Sequence, residues 1–284
     1  MPDTRTAGRA KRGRDGGSEG LFHQIECHAT SEMGAARPVN EDQYLLVPLT
    51  PSTPGAEPAY LFAVADGLGG APAGDRASLI ATRTLFKALR EPWSDPGEAL
   101  KAAVLRCQSE IDAHAERHPE RHGMATTLTA ALVLWPRVYI VHVGDSRCYA
   151  LRPSGAERVT SDQTIAERMA RIGVIRPEQV ASSRWKNVLA NVIGGSSPDV
   201  SPELYTTTLH WGDALLLATD GVTDVIKDEE ILALTRERGS AETVCRRLIR
   251  TAQERGGKDD RTVVFARFGR SPAWRKLRDI LLGP

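Results

Sequence analysis

Twice in this chain an apolar run stops on an aspartate followed by glycine. The first is Ala63-Val64-Ala65-Asp66-Gly67-Leu68-Gly69-Gly70, closing an apolar stretch over residues 60–65, and the second is Leu215-Leu216-Leu217-Ala218-Thr219-Asp220-Gly221. An apolar run bounded by glycine reads as a buried strand, so each copy delivers a carboxylate to a strand end where the backbone turns sharply. Asp-Gly is also the commonest turn dipeptide, and turn chemistry explains either copy alone. Two more acids sit in similar places, Asp145 in Val141-His142-Val143-Gly144-Asp145-Ser146 and Asp259 in Gly256-Gly257-Lys258-Asp259-Asp260. Together they restrict the chain to folds in which strand ends from distant segments are acidic.

Carboxylates about 4 Å apart repel by roughly 4 kcal/mol per pair at an effective dielectric of 20. If such acids gather, cations or protons must gather with them. The candidate ligands are all oxygens with no His or Cys beside them, which favours Mg²⁺ or Mn²⁺ over Zn²⁺.

With 284 residues, 41% of them hydrophobic, the chain can hold one large domain or two small ones around a packed core. The net charge of +1 excludes a polyanion binder acting through bulk charge, so any electrostatic argument is local. Cys27, Cys107, Cys148 and Cys245 are widely spaced in apolar surroundings and form no C-x-x-C pair, as expected of reduced core thiols in a cytoplasmic protein. No signal-peptide core of about 7–15 apolar residues and no apolar run of about 18 is present, so neither export nor a membrane span is expected.

Residues 1–20 carry Arg5, Arg9, Lys11, Arg12 and Arg14 without apolar periodicity and read as a disordered basic leader. Strands are expected around Phe22, Ile25 and Cys27 and over residues 44–47, joined by a connector that holds Arg37, Asn40, Glu41 and Asp42. Prolines over residues 48–58 mark a loop. After the Asp66 turn, helical apolar spacing predicts helices over residues 75–89 and 96–116. Residues 127–134, 138–143 and 148–151 read as strands whose short gaps predict a meander of antiparallel neighbours. His142 falls inside one of these strands and reads as a core histidine. Residues 162–190 read as a charged helical insertion. Strands over 204–209 and 214–218, helices over 228–236 and 241–255, and a last strand over 262–268 complete the domain. Ser271, Pro272 and Gly283 frame a short amphipathic helix bearing Trp274, Leu277 and Leu281. The expected organisation is a leader (1–20), one domain (21–268) and a C-terminal helix (269–284), in an α+β arrangement with helices covering antiparallel sheets.

In this order and at these spacings the motifs resemble the metal-dependent protein phosphatase family of type 2C, of the bacterial kind. The resemblance spans residues 23–268 and is carried by Arg37-x-x-Asn40-Glu41-Asp42, Asp66-Gly67-x-Gly69-Gly70, Thr126-Thr127, Gly144-Asp145-Ser146-Arg147, Asp162, Gly194, Asp220-Gly221 and Asp259. It implies a four-layer α-β-β-α sandwich of two antiparallel sheets flanked by helices, with a dinuclear Mg²⁺ or Mn²⁺ site at one end. By that likeness Asp66 bridges two ions, Gly67 lends a backbone carbonyl to one, and Asp220 and Asp259 bind the other. Asp145, with Asp220, holds a weaker third ion. Glu41 and Asp42 hold metal-bound waters, and Arg37 contacts the substrate phosphate.

The implied reaction is hydrolysis of phosphoserine and phosphothreonine in proteins by a metal-bridging water, without a phospho-enzyme. The implied partners are phosphorylated proteins made by a cognate Ser/Thr kinase, in signalling, and a cytoplasmic monomer is expected. Leu68 stands where many eukaryotic relatives have His, so the leaving-group proton comes from elsewhere. Ala125, Gln163 and Asp260 also depart from the family's usual Gly, His and Asn. They keep open a pseudophosphatase that binds phosphorylated partners without turnover, whereas the complete ligand set argues for an enzyme. A nucleic-acid-binding role for the leader is the third reading. With no aromatics among its basic residues, a solvated tail explains it better.

Overall fold

Near-continuous apolar runs pair into two sheets because both faces of their strands are covered. The computed structural model describes residues 23–35, 38–49, 59–68, 73–195 and 199–270. The basic leader, Arg37, the Gly69-Gly70 pair, the Pro-rich loop and the C-terminal helix beyond residue 270 lie outside the described residues. In chain order the elements are β1 (His23–Glu32), β2 (Asp42–Leu49), β3 (Ala59–Asp66), α1 (Gly74–Leu89), α2 (Pro96–Arg117), β4 (Ala125–Thr126) and β5 (Leu128–Leu134). They continue as β6 (Arg137–Val143), β7 (Arg147–Arg152), β8 (Gly155–Arg158), α3 (Ile165–Arg171), β9 (Ile193–Gly194) and β10 (Glu203–Thr208). The last are β11 (Ala214–Ala218), α4 (Asp220–Thr223), α5 (Asp228–Arg236), α6 (Ala241–Glu254) and β12 (Arg261–Arg270).

One sheet runs β1-β12-β11-β7-β8 and the other β10-β6-β5-β3-β2, every neighbouring pair antiparallel. Their inner faces meet in one core layer, with Phe62, Val64, Ala131 and Ile140 opposite Cys148, Leu215, Leu217, Val264 and Phe268. The side-chain period of two turns the alternate residues outward. Ala63, Leu128 and Leu132 pack under Leu85, Leu100 and Val104 of α1 and α2, and Leu216 and Phe265 under Val244 and Leu248 of α6. This is the expected α-β-β-α sandwich. The α2 start is fixed by Asp95, whose side chain accepts the Glu98 amide ahead of Pro96, and the α6 start by Ser240, which accepts the Thr243 amide. Among the described residues no helix is long and apolar enough to cross a membrane.

Three sequence expectations need correction. First, β6 and β7 do not pair: β6 joins β5 and β10, while β7 joins β11 and β8 in the other sheet. Gly144, at φ 108°, turns the chain from one sheet to the other across Asp145 and Ser146, so a short gap here marks a crossover and not a hairpin. Second, residues 162–190 contain only the short helix α3 and a 3-10 turn, Pro177–Gln179. The apolar spacing that suggested a helix lasts two turns. Ile172 is already 68% exposed, and Gly173 with φ 77° ends the helical path. Third, the last strand runs through Gly269 and Arg270, two residues into the stretch expected to be helical, because β1 offers partners as far as His23. The single turn α4 and the short strands β4, β8 and β9 gave no periodic signal.

His142 is a core residue as expected. It is fully buried, with Nδ1 2.9 Å from Thr129 Oγ1 and Nε2 3.0 Å from the Ser161 carbonyl. Burial pushes its pKa down to about 4, which keeps it neutral near pH 7. All four cysteines are free thiols, three buried and Cys27 half-buried, and burial lifts Cys107 and Cys245 to about 12. Such thiols are poor nucleophiles.

The crossover glycine carries a prediction. A Cβ on Gly144 would lie 2.5 Å from Thr127 Cγ2 at a φ that L-residues avoid. Gly144→Ala is expected to destabilise the fold by about 1–3 kcal/mol in urea unfolding. Gly155→Ala, whose Cβ would meet nothing within 4 Å, is expected to stay within about 0.5 kcal/mol. Equal midpoints for the two variants would refute the crossover reading.

Candidate metal centre

Antiparallel pairing brings the acidic strand ends to one edge of the sandwich. Asp42 opens β2 and Asp66 closes β3, and the two are direct cross-strand partners. From the other sheet, β11 ends at Ala218 and Asp220 opens α4 two residues later, while Asp259 stands just before β12. Asp145 lies in the crossover between the sheets. Thr219 Oγ1 donates to Asp42 Oδ2 at 2.9 Å, so the two sheets are tied together at the site itself.

Backbone contacts hold these positions. The Asp66 amide donates to Thr127 Oγ1 at 3.0 Å, and its carbonyl accepts from the Thr127 amide at 2.8 Å and from Thr126 Oγ1 at 2.8 Å. That is a local task for the Thr126-Thr127 pair. Gly67 donates its amide to the Glu41 carbonyl at 3.1 Å, and a Cβ there would meet the Gly74 carbonyl oxygen at 2.3 Å, so nothing larger than glycine fits the turn. Gly221 is equally constrained, since its Cβ would lie 1.9 Å from the Asp260 carbonyl oxygen. The Asp145 crossover is held by Gln163, whose Oε1 accepts the Gly144 amide at 2.9 Å.

The acids perturb one another strongly. Burial, then the charges of Asp42, Asp220 and Asp145, lifts Asp66 far above the usual carboxylate range. Burial above all, opposed by bonds from Thr262 and Thr219, lifts Asp42 to about 8, and the charges of Asp220 and Asp260 add to the rise. Burial and the nearby Asp224 lift Asp220 to about 6, and burial with Asp220 raises Asp145. The raised pKa values mean that, without cations, protons offset part of the repulsion among these acids. Among the described residues no three acids yet enclose one point.

Two buried carboxyl oxygens, Asp42 Oδ1 and Asp220 Oδ1, have no hydrogen-bond partner. A buried acceptor without a donor costs about 1–3 kcal/mol. Unpaired oxygens among mutually repelling acids, with no nitrogen or sulfur ligand, fit hard divalent cations. A proton is merely the smallest cation that can hold such a group together.

Of the residues expected from the sequence, Asp42, Asp66, Asp145 and Asp220 form this interacting group, and the charge of Asp259 acts on Asp220. Glu41 and Gly67 adjoin it, and Arg37 lies outside the described residues. Asp162 bears on the group only through its charge, which adds to the rise of Asp145. It pairs with Arg147 at 2.8 Å and also with Arg158, and Arg147 reaches on to Asp228 at 3.3 Å. Sequence reasoning read Asp260 as an added charge and missed its other role. It is buried, with Oδ1 accepting the Gly34 amide and Oδ2 the Glu41 amide, each at 2.7 Å. One carboxylate therefore pins both ends of the segment from Gly34 to Glu41. Its place beside Asp259 was the only sequence signal.

The protein phosphatase 2C family model matches residues 42–260. The chain is 36% identical over 239 residues to the serine/threonine protein phosphatase PstP of Mycobacterium tuberculosis, covering 84% of this chain and 44% of that protein. It thus spans less than half of PstP. It is 31% identical over 207 residues to the serine/threonine phosphatase stp of Listeria monocytogenes, covering 71% of this chain and 82% of that one. The crystal structure of M. tuberculosis PstP matches with a TM-score of 0.75 at 34% identity, covering 87% of this chain and 99% of that one. The PstP catalytic domain in complex with two manganese ions matches with a TM-score of 0.73 at 33% identity, with the same shares of the two chains covered.

The acid cluster gives a pH dependence with a definite sign. Asp220 near 6 and Asp42 near 8 sit above the unfolded carboxylate value of about 3.9, so the metal-free folded state binds more protons than the unfolded chain. That contribution is complete below about pH 4 and is lost as pH rises through 6 and 8. In chelator the urea midpoint is expected to fall between about pH 5 and pH 8, and in Mn²⁺ to rise, because ligands bind deprotonated. A flat midpoint in chelator would contradict the cluster. For Asp260→Asn, which turns an NH₂ toward one of the two amides, a loss of about 1–3 kcal/mol is expected in the same assay, and no loss would remove Asp260 as the anchor.

Proposed function

The chain belongs to the protein phosphatase 2C family, and on that premise we propose that it is a metal-dependent protein serine/threonine phosphatase. The observation that carries this reading is the buried acid group around Asp66, with two carboxyl oxygens unpaired. Support comes from relatives named serine/threonine phosphatases and from the PstP domain that holds two manganese ions. The catalytic unit is the domain over residues 21–268, with β12 continuing to Arg270.

Asp66, Asp220, Asp259 and the Gly67 carbonyl would hold two Mg²⁺ or Mn²⁺ ions, and Asp145 with Asp220 a weaker third. When bound, such ions neutralise charge on the phosphoryl group and acidify the water that attacks it. The remaining work falls to the chain's own groups. Asp42 is oriented by the Thr219 bond to Oδ2, which leaves Oδ1 to accept a hydrogen from the attacking water. Glu41, fixed through its amide by Asp260 and through its carbonyl by Ser78 Oγ at 2.6 Å, orders solvent beside it. Arg37 clamps the phosphoryl oxygens through its planar, permanently charged fork. Leu68 has no ionisable atom, so the proton that leaves with the seryl or threonyl oxygen comes from another position, an ordered water or an acid beside the substrate. Water as nucleophile requires no phospho-enzyme.

The substrates are phosphorylated Ser/Thr proteins made by a cognate kinase, in signalling. Free thiols suit a reducing cytoplasm, and one chain supplies every proposed ligand, so a monomer suffices.

Purified protein with Mn²⁺ is expected to dephosphorylate a phosphothreonine peptide and to stop in chelator. Asp66→Asn and Asp259→Asn should each lower kcat/KM at least about a hundredfold, since ion-borne charge stabilisation is worth several kcal/mol. Arg37→Ala should lower it about 10–100-fold through the lost charge-assisted hydrogen bonds. Turnover that survives chelation, or full activity in Asp66→Asn, would overturn the assignment.

A further inference from the structure

A second charged concavity lies at the other end of the first sheet, remote from the acids. It is a cavity of about 450 Å³ between the far ends of β7, β11 and β12 and the turn joining α5 to α6. From Arg261, two residues after Asp259, to Arg267, β12 covers roughly 20 Å at ~3.3 Å per residue, so the cavity is no extension of the metal centre. Its floor is apolar, built on Leu151, Ala214 and the buried Phe265. Four arginines, Arg152, Arg236, Arg238 and Arg267, and a single acid, Glu237, contribute to its walls, although the Arg152 guanidinium is taken up by Glu157, Thr207 and Thr208 outside it.

The local charge does not cancel. Glu157 pairs with Arg152, and Glu26 with Arg267 at 3.2 Å. Glu237 is paired at 3.0 Å with Arg247, which does not line the cavity. That leaves Arg236 and Arg238 with no carboxylate partner among the described residues. Arg236 donates to the carbonyls of Arg152, at 3.2 Å, and Pro153. Carbonyl acceptors satisfy donors without removing charge. A cation at the last turn of α5 is explained in part by the helix dipole, but that accounts for Arg236 alone and not for Arg238 and Arg267, which line the same cavity. Each guanidinium has five N–H donors, and those seen here use only some of them. Arg267 adds rigidity, since its guanidinium stacks 5.3 Å from the Phe265 ring centroid and donates to the Gly239 carbonyl at 3.2 Å.

We propose that this cavity is a binding site for a small organic polyanion, a metabolite bearing two or more phosphate or carboxylate charges. The volume lies in the ~300–1,000 Å³ range of small-molecule sites and exceeds what one inorganic ion fills. The donors are forks suited to phosphate and carboxylate oxygens. The site is independent of the proposed phosphatase chemistry, shares no residue with it, and would let a metabolite act on the far end of the strands that carry Asp220 and Asp259.

Pyrophosphate is the probe, titrated by calorimetry into the full chain at low salt with chelator present, which removes cations from the acid cluster. Binding in the millimolar range or tighter is expected, weakening with salt because the attraction is ionic. Arg238→Gln and the double variant Arg236→Gln/Arg238→Gln should each keep the wild-type melting temperature and weaken binding by about tenfold or more, equivalent to ~1.4 kcal/mol. Arg37→Ala should leave it unchanged. No detectable heat for the wild type, binding that survives in both cavity variants, or binding lost instead in Arg37→Ala would each overturn the proposal.

Discussion

Mutual repulsion among buried carboxylates is the constraint that the rest of this structure accommodates. Asp42, Asp66, Asp145 and Asp220 come from four separate segments, and the charges of Asp42, Asp145 and Asp220 each raise the pKa of at least one of the others. A surface loop could separate such acids. Here they cannot move apart, because each is the end of, or the turn beside, a strand whose other residues form the core between two sheets. Hydrophobic burial of the strands therefore holds the electrostatic strain in place.

The contacts at that edge divide the labour. Threonines and glycines govern the backbone: Thr126 and Thr127 hold Asp66, Thr219 bridges the sheets to Asp42, and Gly67 and Gly221 permit approaches too close for any side chain. Polar side chains with two acceptor roles govern the loops: Gln163 holds the Asp145 crossover, and Asp260 pins both ends of the connector that carries Arg37. None of these groups needs to touch a substrate. Their effect is to keep the acids where cations can use them.

Much of this was legible in the chain because apolar strands that end in Asp-Gly announce both a buried strand and an acid at its tip. The helices were legible for the same kind of reason, since α1, α2 and α6 keep apolar spacing over several turns. The sheet partners of β6 and β7 were not. Both strands are buried on both faces, so neither shows the alternation that distinguishes a hairpin from a crossing, and the deciding fact is the backbone angle at Gly144. Residues 162–190 misled because Ile165, Met169 and Ile172 mimic a helical stripe that stops after two turns. Asp260 was visible as a charge but not as an anchor, because its partners Gly34 and Glu41 lie more than two hundred residues away in sequence. The arginine-lined cavity was invisible for the same reason: β7, β11, β12 and the α5–α6 turn meet there only in three dimensions.

On the proposed phosphatase reading, divalent cations and not protons occupy this acidic edge. Crystals grown with manganese and measured at the manganese absorption edge test it directly. Two anomalous peaks are predicted among Asp66, Asp220 and Asp259. Absence of any anomalous signal there in saturating manganese would refute it.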